Sequence, residues 1–166
     1  MKRIIIIGCS GSGKSTLARR LASRLSLPLV HLDKLYWREN WQPAAGEEFD
    51  ALLLWELEKP EWVMDGNFSR TLPLRLARCD TAVYLDYPRW LCLFRVLKRV
   101  LTHYGRTRPD MGENCPERLD FEFLKFIWNY NRENKRQNEE LLSAAGHVKV
   151  VLLHNPRETE RFLLGL

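Results

Sequence analysis

Apolar and polar positions fall into short blocks along this chain. Mostly apolar runs occupy residues 4–7, 29–32, 62–64, 81–85 and 148–153, with Gly, Pro, Asp or Asn close to their ends. Runs of that length read as strands buried on both faces. Between them the apolar positions recur at helical spacing. Leu17, Ala18, Leu21, Ala22 and Leu25 mark a helix over 14–25, and Phe49, Leu52 and Leu53 one over 47–59, stopped by Pro60. A short helix is expected at 72–78. A longer one starts at Pro88 and runs to about residue 103, with Trp90, Leu91, Phe94, Leu97 and Leu101 as its apolar face. Residues 104–118 hold Gly105, Pro109, Gly112 and Pro116, which predict a long loop. A single long helix follows over 119–145, apolar first and polar from 129 to 140, and residues 157–164 close the chain as a helix.

Strands alternating with helices predict an α/β domain of three layers, a five-stranded parallel sheet with helices on both faces. No repeat or change of composition divides residues 1–166, so one domain is expected, with a lid or insert at about 104–118. In such a fold ligands bind beyond the carboxyl ends of the strands. The chemically distinctive residues fall there: Gly8–Ser15 after the first run, Asp33 after the second, Asp65 after the third, Asp86 after the fourth and Asn155 after the last.

The first of these is the most specific. Gly8-Cys9-Ser10-Gly11-Ser12-Gly13-Lys14-Ser15 spells G-x-x-x-x-G-K-S directly behind a strand and in front of a helix. Glycines at 8, 11 and 13 let the backbone curl into a nest of inward N–H groups, and the following helix adds the positive end of its dipole. Lys14 would meet the β- and γ-phosphates, and the Ser15 hydroxyl would coordinate Mg²⁺. The implied ligand is a nucleoside triphosphate, with Asn155 grouped on the nucleotide side.

Asp65 is placed to hold the Mg²⁺ shell opposite Ser15. Gly66 follows it, not the glutamate that hydrolases use to activate water, and no N-K-x-D guanine signature occurs. Asp33 either orients and deprotonates an acceptor hydroxyl or caps the next helix. Tyr36, Trp37 and Trp41 could stack on a planar acceptor or pack a lid. Arg70 sits where an acceptor anion would lie. Arg95 and Arg99 share a helix face, and Arg106 and Arg108 belong to the predicted lid.

Charge sharpens this picture. The formal net charge is +5, yet Arg89, Arg95, Lys98, Arg99, Arg106 and Arg108 fall between Asp86 and Asp110 with no acid among them. Such a segment suits either nucleic acid or arginines closing over a triphosphate. The four cysteines, Cys9, Cys79, Cys92 and Cys115, have no metal-site spacing. Reduced thiols and a strand at the very start imply a cytoplasmic protein without a leader, as monomer or homodimer.

Taken together, the phosphate loop, the stretch from Asp65-Gly66 to Arg70-Thr71, Tyr84-Leu85-Asp86-Tyr87-Pro88 with Arg95 and Arg99 beyond it, and the lid resemble adenylate-kinase-like small-molecule kinases. Residues 31–37, 62–71, 105–113 and the Trp- and Asn-rich stretch 121–137 are similar to the DNA topology modulation protein family. The resemblance implies a P-loop kinase fold, ATP and Mg²⁺ bound by residues 11 to Thr16, and Arg106 and Arg108 as lid arginines. Asp65-Gly66-Asn67-Phe68-Ser69-Arg70 is one residue longer than the Asp-Gly-Phe-Pro-Arg usual in nucleotide kinases and lacks its proline, which leaves the acceptor open. Two functions are therefore expected to compete. One is γ-phosphoryl transfer from ATP to a small-molecule or nucleotide acceptor, with Lys14, Asp33, Arg106 and Arg108 catalytic and Asp33, Tyr36, Trp37 and Arg70 on the acceptor. The other is an ATP-dependent regulatory protein that contacts DNA through residues 89–108.

Overall fold

The computed structural model describes residues 1–166, the side chains of residues 131–133 excepted. In chain order the elements are β1 (Arg3–Gly8), α1 (Lys14–Leu25), β2 (Leu29–His31), α2 (Leu32–Tyr36), β3 (Trp37–Arg38), β4 (Gln42–Pro43), α3 (Gly46–Leu57), β5 (Trp62–Asp65), α4 (Leu72–Arg78), β6 (Thr81–Leu85), α5 (Arg89–His103), α6 (Phe121–Glu133), α7 (Lys135–Ala144), β7 (Lys149–Leu153) and α8 (Pro156–Leu164). The main sheet is parallel, in the order β2-β5-β1-β6-β7. From β1 the chain crosses to the edge strand β2, returns to fill the gap with β5, and then moves to the other side of β1 with β6 and β7. The carboxyl end of β1 is thus the switch point where a ligand crevice opens.

The isoleucine run shows why β1 is central. Ile4 and Ile6 pack against α1, α5, α6 and α8, whereas Ile5 and Ile7 pack against α3, α4 and α7. Alternate side chains of a strand point to opposite faces, so a continuous apolar run requires a helix layer on each side. Among the described residues no helix is long and apolar enough to cross a membrane.

Two helices depart from the pattern-based expectation. The helix expected over 119–145 is two, α6 and α7, separated at Asn134. Ile127 and Tyr130 of α6 lie in the core on one face of the sheet, and Leu142 of α7 lies in the core on the other. A straight helix cannot serve both layers. The polar stretch expected over 129–140 includes residues 131–133, whose side chains lie outside the described residues. In α5 the buried positions are Cys92, Val96 and Val100, whereas Trp90, Phe94 and Leu101 are 64%, 61% and 84% exposed. Close approach explains the rotation: a Cβ on Gly11, at φ 84°, would stand 2.3 Å from the Cys92 carbonyl oxygen. Only short side chains let α5 come that near the phosphate loop.

Residues 104–118 are also more ordered than a Gly/Pro loop suggests. Gly105 N donates to Glu117 O at 2.9 Å and Glu117 N to Arg106 O at 3.0 Å, closing the neck of the segment. Its far side docks on the β3–β4 ribbon, which the periodicity did not reveal: Asn40 N donates to Asn114 O at 3.1 Å and Trp41 Nε1 to Pro116 O at 3.0 Å.

One buried cation fixes the turn after β5. Arg75 is fully buried and donates to the carbonyls of Gly66 (2.9 Å), Asn67 and Phe68 (3.1 Å). Arg75→Met would leave those carbonyls unpaired, and unpaired buried groups cost ~1–3 kcal/mol each. We expect a loss of about 3–5 kcal/mol in urea unfolding. A change under about 1 kcal/mol would show that water can replace the guanidinium.

Candidate active site

The phosphate loop forms the floor of the crevice. Ser12 N donates to Cys9 O at 3.1 Å and Leu17 N to Gly13 O at 2.9 Å, but the N–H groups of Gly11, Gly13, Lys14, Ser15 and Thr16 have no acceptor among the described residues. The Ser12 hydroxyl is buried and equally unpartnered. These N–H groups belong to residues that line the cavity, and a concave set of unpaired donors fits a polyphosphate. Gly8 N donates to Asn67 Oδ1 at 3.0 Å, and Tyr130 OH reaches the same oxygen at 3.4 Å. The turn held by Arg75 thereby braces the loop. Lys14 Nζ donates to Cys9 O at 3.0 Å. Burial lowers its pKa, against the pull of Cys9, Asp33 and Asp65. Cys9 itself is buried, its Sγ 3.9 Å from Ile127 O, so only its backbone faces the ligand side.

Acids converge on the start of α1. Ser15 Oγ donates to Asp65 Oδ2 at 2.6 Å, and His31 Nδ1 bonds Asp65 Oδ1. Asp33, one residue into α2, is pushed up to about 6 by burial and by the carboxylates of Asp65 and Asp110, with Lys14 and Arg108 opposing. His31, not Asp33, occupies the cap position of α2, and its side chain makes no capping bond. Asp33 therefore has no capping role and faces the phosphate loop as an acid near neutrality.

Arginines close the crevice. Arg95 Nη1 donates to Ser12 O at 3.0 Å. Arg108 Nη1 donates to Asp110 Oδ2 at 2.7 Å, and Arg19 stands 4.0 Å from Asp110 Oδ1. Burial disfavours the ionised form of Asp110, but Arg108, Ser15 and His31 together outweigh it and hold the carboxyl below its ordinary range. Arg106 is exposed at the rim. Much of the basic segment thus turns inward. Arg95, Arg99 and Arg108 engage Ser12, Glu117 and Asp110, and Arg89 stacks 4.1 Å over Trp128. Arg99 and Arg108 are paired with acids, whereas Lys98 and Arg106 stay exposed.

These groups line one cavity of about 970 Å³, which takes in Ser10 to Leu17, Asp33, Trp37, Trp41, Arg95, Arg99 and the lid. That is room for a nucleotide and a small second molecule. Several expected contacts lie elsewhere. Arg70 is 62% exposed and grips Asp50 with two hydrogen bonds of 2.8 and 2.6 Å, outside the cavity. Asn155 caps α8 by accepting from Glu158 N at 3.0 Å. Tyr36 packs among Trp37, Phe49 and Phe68. Asp65 lies beneath the cavity and reaches it through Ser15.

The lid seats on a contact with no spare room. A Cβ at Gly112 would stand 1.9 Å from the Trp37 carbonyl oxygen. Gly112→Ala should therefore undock the segment and speed tryptic cleavage after Arg106, the Arg108–Pro109 bond being resistant, by about tenfold or more, the factor for ~1.4 kcal/mol of lost docking. An unchanged cleavage rate would mean that the segment is held without the Trp37 contact.

With this geometry in place the relatives can be named. Shikimate kinase from Bacteroides thetaiotaomicron superposes with a TM-score of 0.58 at 17% identity, over 99% of this chain and 95% of that one. Shikimate kinase from Acinetobacter baumannii, in complex with shikimate, gives 0.62 at 15%, over 99% and 90%. A gluconokinase from Sinorhizobium meliloti 1021 gives 0.55 at 20%, over 99% and 92%. The fold is that of the P-loop kinases. At these identities the likeness is one of fold. No protein-family model matches the chain, and no curated protein matches it in sequence. The similarity to the DNA topology modulation family gains no support from these comparisons; the kinase resemblance does.

In this P-loop kinase fold, His31, Asn67, Asp110 and Glu117 join the site without a sequence signal of their own. His31 and Asn67 meet partners dozens of residues away, and Asp110 and Glu117 meet theirs only because the lid folds back on α5. Arg95 and Arg99 were foreshadowed by their spacing of one helical turn on a helix that starts beside the phosphate loop.

Proposed function

We propose that this chain is an ATP-dependent phosphotransferase acting on the hydroxyl of a small-molecule acceptor. The observation that carries this reading is Asp33, a partly buried carboxyl with a pKa near 6, facing an unfilled nest of N–H groups and Lys14 across one cavity. A proton acceptor and a polyphosphate cradle on opposing walls are what phosphoryl transfer needs.

The residues divide the work by position. The N–H groups of the loop and Lys14 hold the triphosphate, and lid arginines offset charge on the moving phosphoryl. Asp33 takes the proton of the acceptor hydroxyl. The acceptor oxygen then bonds the γ-phosphorus as the bond from that phosphorus to the β–γ bridging oxygen breaks. Trp37 and Trp41 wall the acceptor side, 5.5 Å apart in an edge-to-face pair. Arg70, committed to Asp50, takes no part.

Mg²⁺ fits Ser15 and Asp65. Both are hard oxygen donors already 2.6 Å apart, and His31 orients the carboxylate from behind. Among the described residues no group of three His, Cys, Asp or Glu could cage an ion by itself. Two protein ligands suit an ion that keeps several waters and borrows phosphate oxygens. When bound it would neutralise charge on the triphosphate.

The test is a screen of hydroxyl acceptors with ADP release as readout. It would include polyols, sugar acids, nucleosides, nucleoside monophosphates and the compounds for which the matched kinases are named. Acceptor-dependent ADP release supports the reading. ATP turnover that no acceptor stimulates would replace it with a slow ATPase.

A further inference from the structure

Glu117 stands where two guanidinium groups meet. Its side chain is almost fully buried, and Oε1 lies 3.0 Å from Arg99 Nε and 2.5 Å from Arg108 Nε. None of these three atoms makes an aligned hydrogen bond, so the attraction is Coulombic and one carboxylate serves two cations. The arginines come from different elements, Arg99 from α5 and Arg108 from the lid. Burial first, and the nearby Arg108 second, hold the Arg99 pKa below its ordinary value. Like charges brought together out of water require a counter-charge.

What these arginines leave free is as informative. The terminal nitrogens of Arg99 make no hydrogen bond among the described residues, and Arg108 uses Nη1 on Asp110. Both side chains line the cavity. The main chain of Glu117 closes the lid neck through its N–H to Arg106 O and its carbonyl from Gly105 N. Changing the side chain leaves those two bonds in place.

We propose that Glu117 is a positioning residue: it assembles Arg99 and Arg108 into one anion clamp before the nucleotide arrives. The assignment rests on the phosphotransferase reading only for what the clamp grips, the phosphoryl in transfer. Without the carboxylate the two cations separate. Each can still attract polyphosphate, but they no longer meet the same phosphoryl.

Glu117→Gln keeps size and removes charge. Turnover should fall about 10- to 100-fold, less than the ~100- to 1,000-fold that outright removal of one charge-stabilising group costs, because both arginines remain. Affinity for inorganic tripolyphosphate should hold or tighten, because a negative charge has left the site. Glu117→Asp should recover part of the rate. The Nε–H resonances of Arg99 and Arg108, assigned with Arg→Lys variants, should both move when tripolyphosphate is titrated into the wild type. In Glu117→Gln they should lose that joint response. A parallel fall of affinity and turnover would reduce Glu117 to a lid-holding role and overturn the proposal. So would unchanged turnover, or an Asp variant no better than Gln. If no acceptor supports wild-type turnover, the kinase reading fails while the titration still decides: joint shifts uphold the clamp, and their absence removes it.

Discussion

Lys14→Ala is expected to abolish measurable phosphoryl transfer, a loss of at least ~1,000-fold, while the protein stays folded. The ammonium is the one lysine charge inside the nest, and it makes a single bond, 3.0 Å to Cys9 O. Its depressed pKa shows that burial opposes the charge, so folding gains little from it. Removing it should leave the unfolding midpoint unchanged or slightly raised. The nest N–H groups remain, so ATP should still bind, more weakly. Turnover and urea unfolding on the same preparation separate these effects. A normal rate in a folded variant would remove the phosphate loop as a catalytic site.

Asp33→Asn should lower acceptor turnover by about 100- to 10,000-fold, with nucleotide affinity changed only a few-fold. The wild-type kcat/KM should rise with pH through about 6, because the carboxyl holds its proton below that value and can accept one above it. In the Asn variant that limb should vanish. Stability runs the other way. The folded pKa lies above the ordinary carboxyl value of 3.8, so the stability contributed by Asp33 is complete below pH 3.8 and is lost as pH rises through about 6. Asp33→Asn should consequently be no less stable than wild type at pH 7. A flat wild-type profile, or a collapse of nucleotide binding in the variant, would move Asp33 out of the proton-transfer role.

Elements whose character is local were legible. Ile4–Ile7 followed by the glycine loop needs only its own backbone geometry and a helix behind it, and both are written within residues 4–25. Asp33, Asp65 and Asp86 at the ends of β2, β5 and β6 were legible too, because a parallel sheet delivers all strand ends to one edge. Contacts whose partner lies far along the chain were not. Arg70 is taken by Asp50, and nothing about Arg70-Thr71 distinguishes an arginine aimed at a ligand from one paired on the surface. Asn155 followed by Pro156 and, three positions on, Glu158 carries a helix-start pattern, which outweighed its position at a strand end.

The sequence by itself determined the five strands of the main sheet, most of the helices between them, the glycine-rich loop after β1 and the sheet edge where the candidate site lies. These follow from periodicity and from backbone freedom at a few glycines, which do not depend on distant residues. Tertiary structure decided the rotation of α5, the break at Asn134 and the docking of the lid on residues 37–41. It also decided which arginines enter the cavity and which acids hold them. Each of these is settled by volume and charge where separate elements meet: Gly11 against Cys92, Gly112 against Trp37, Glu117 between Arg99 and Arg108. Close packing lets only one arrangement satisfy all three, and the local pattern of apolar and polar positions records none of them.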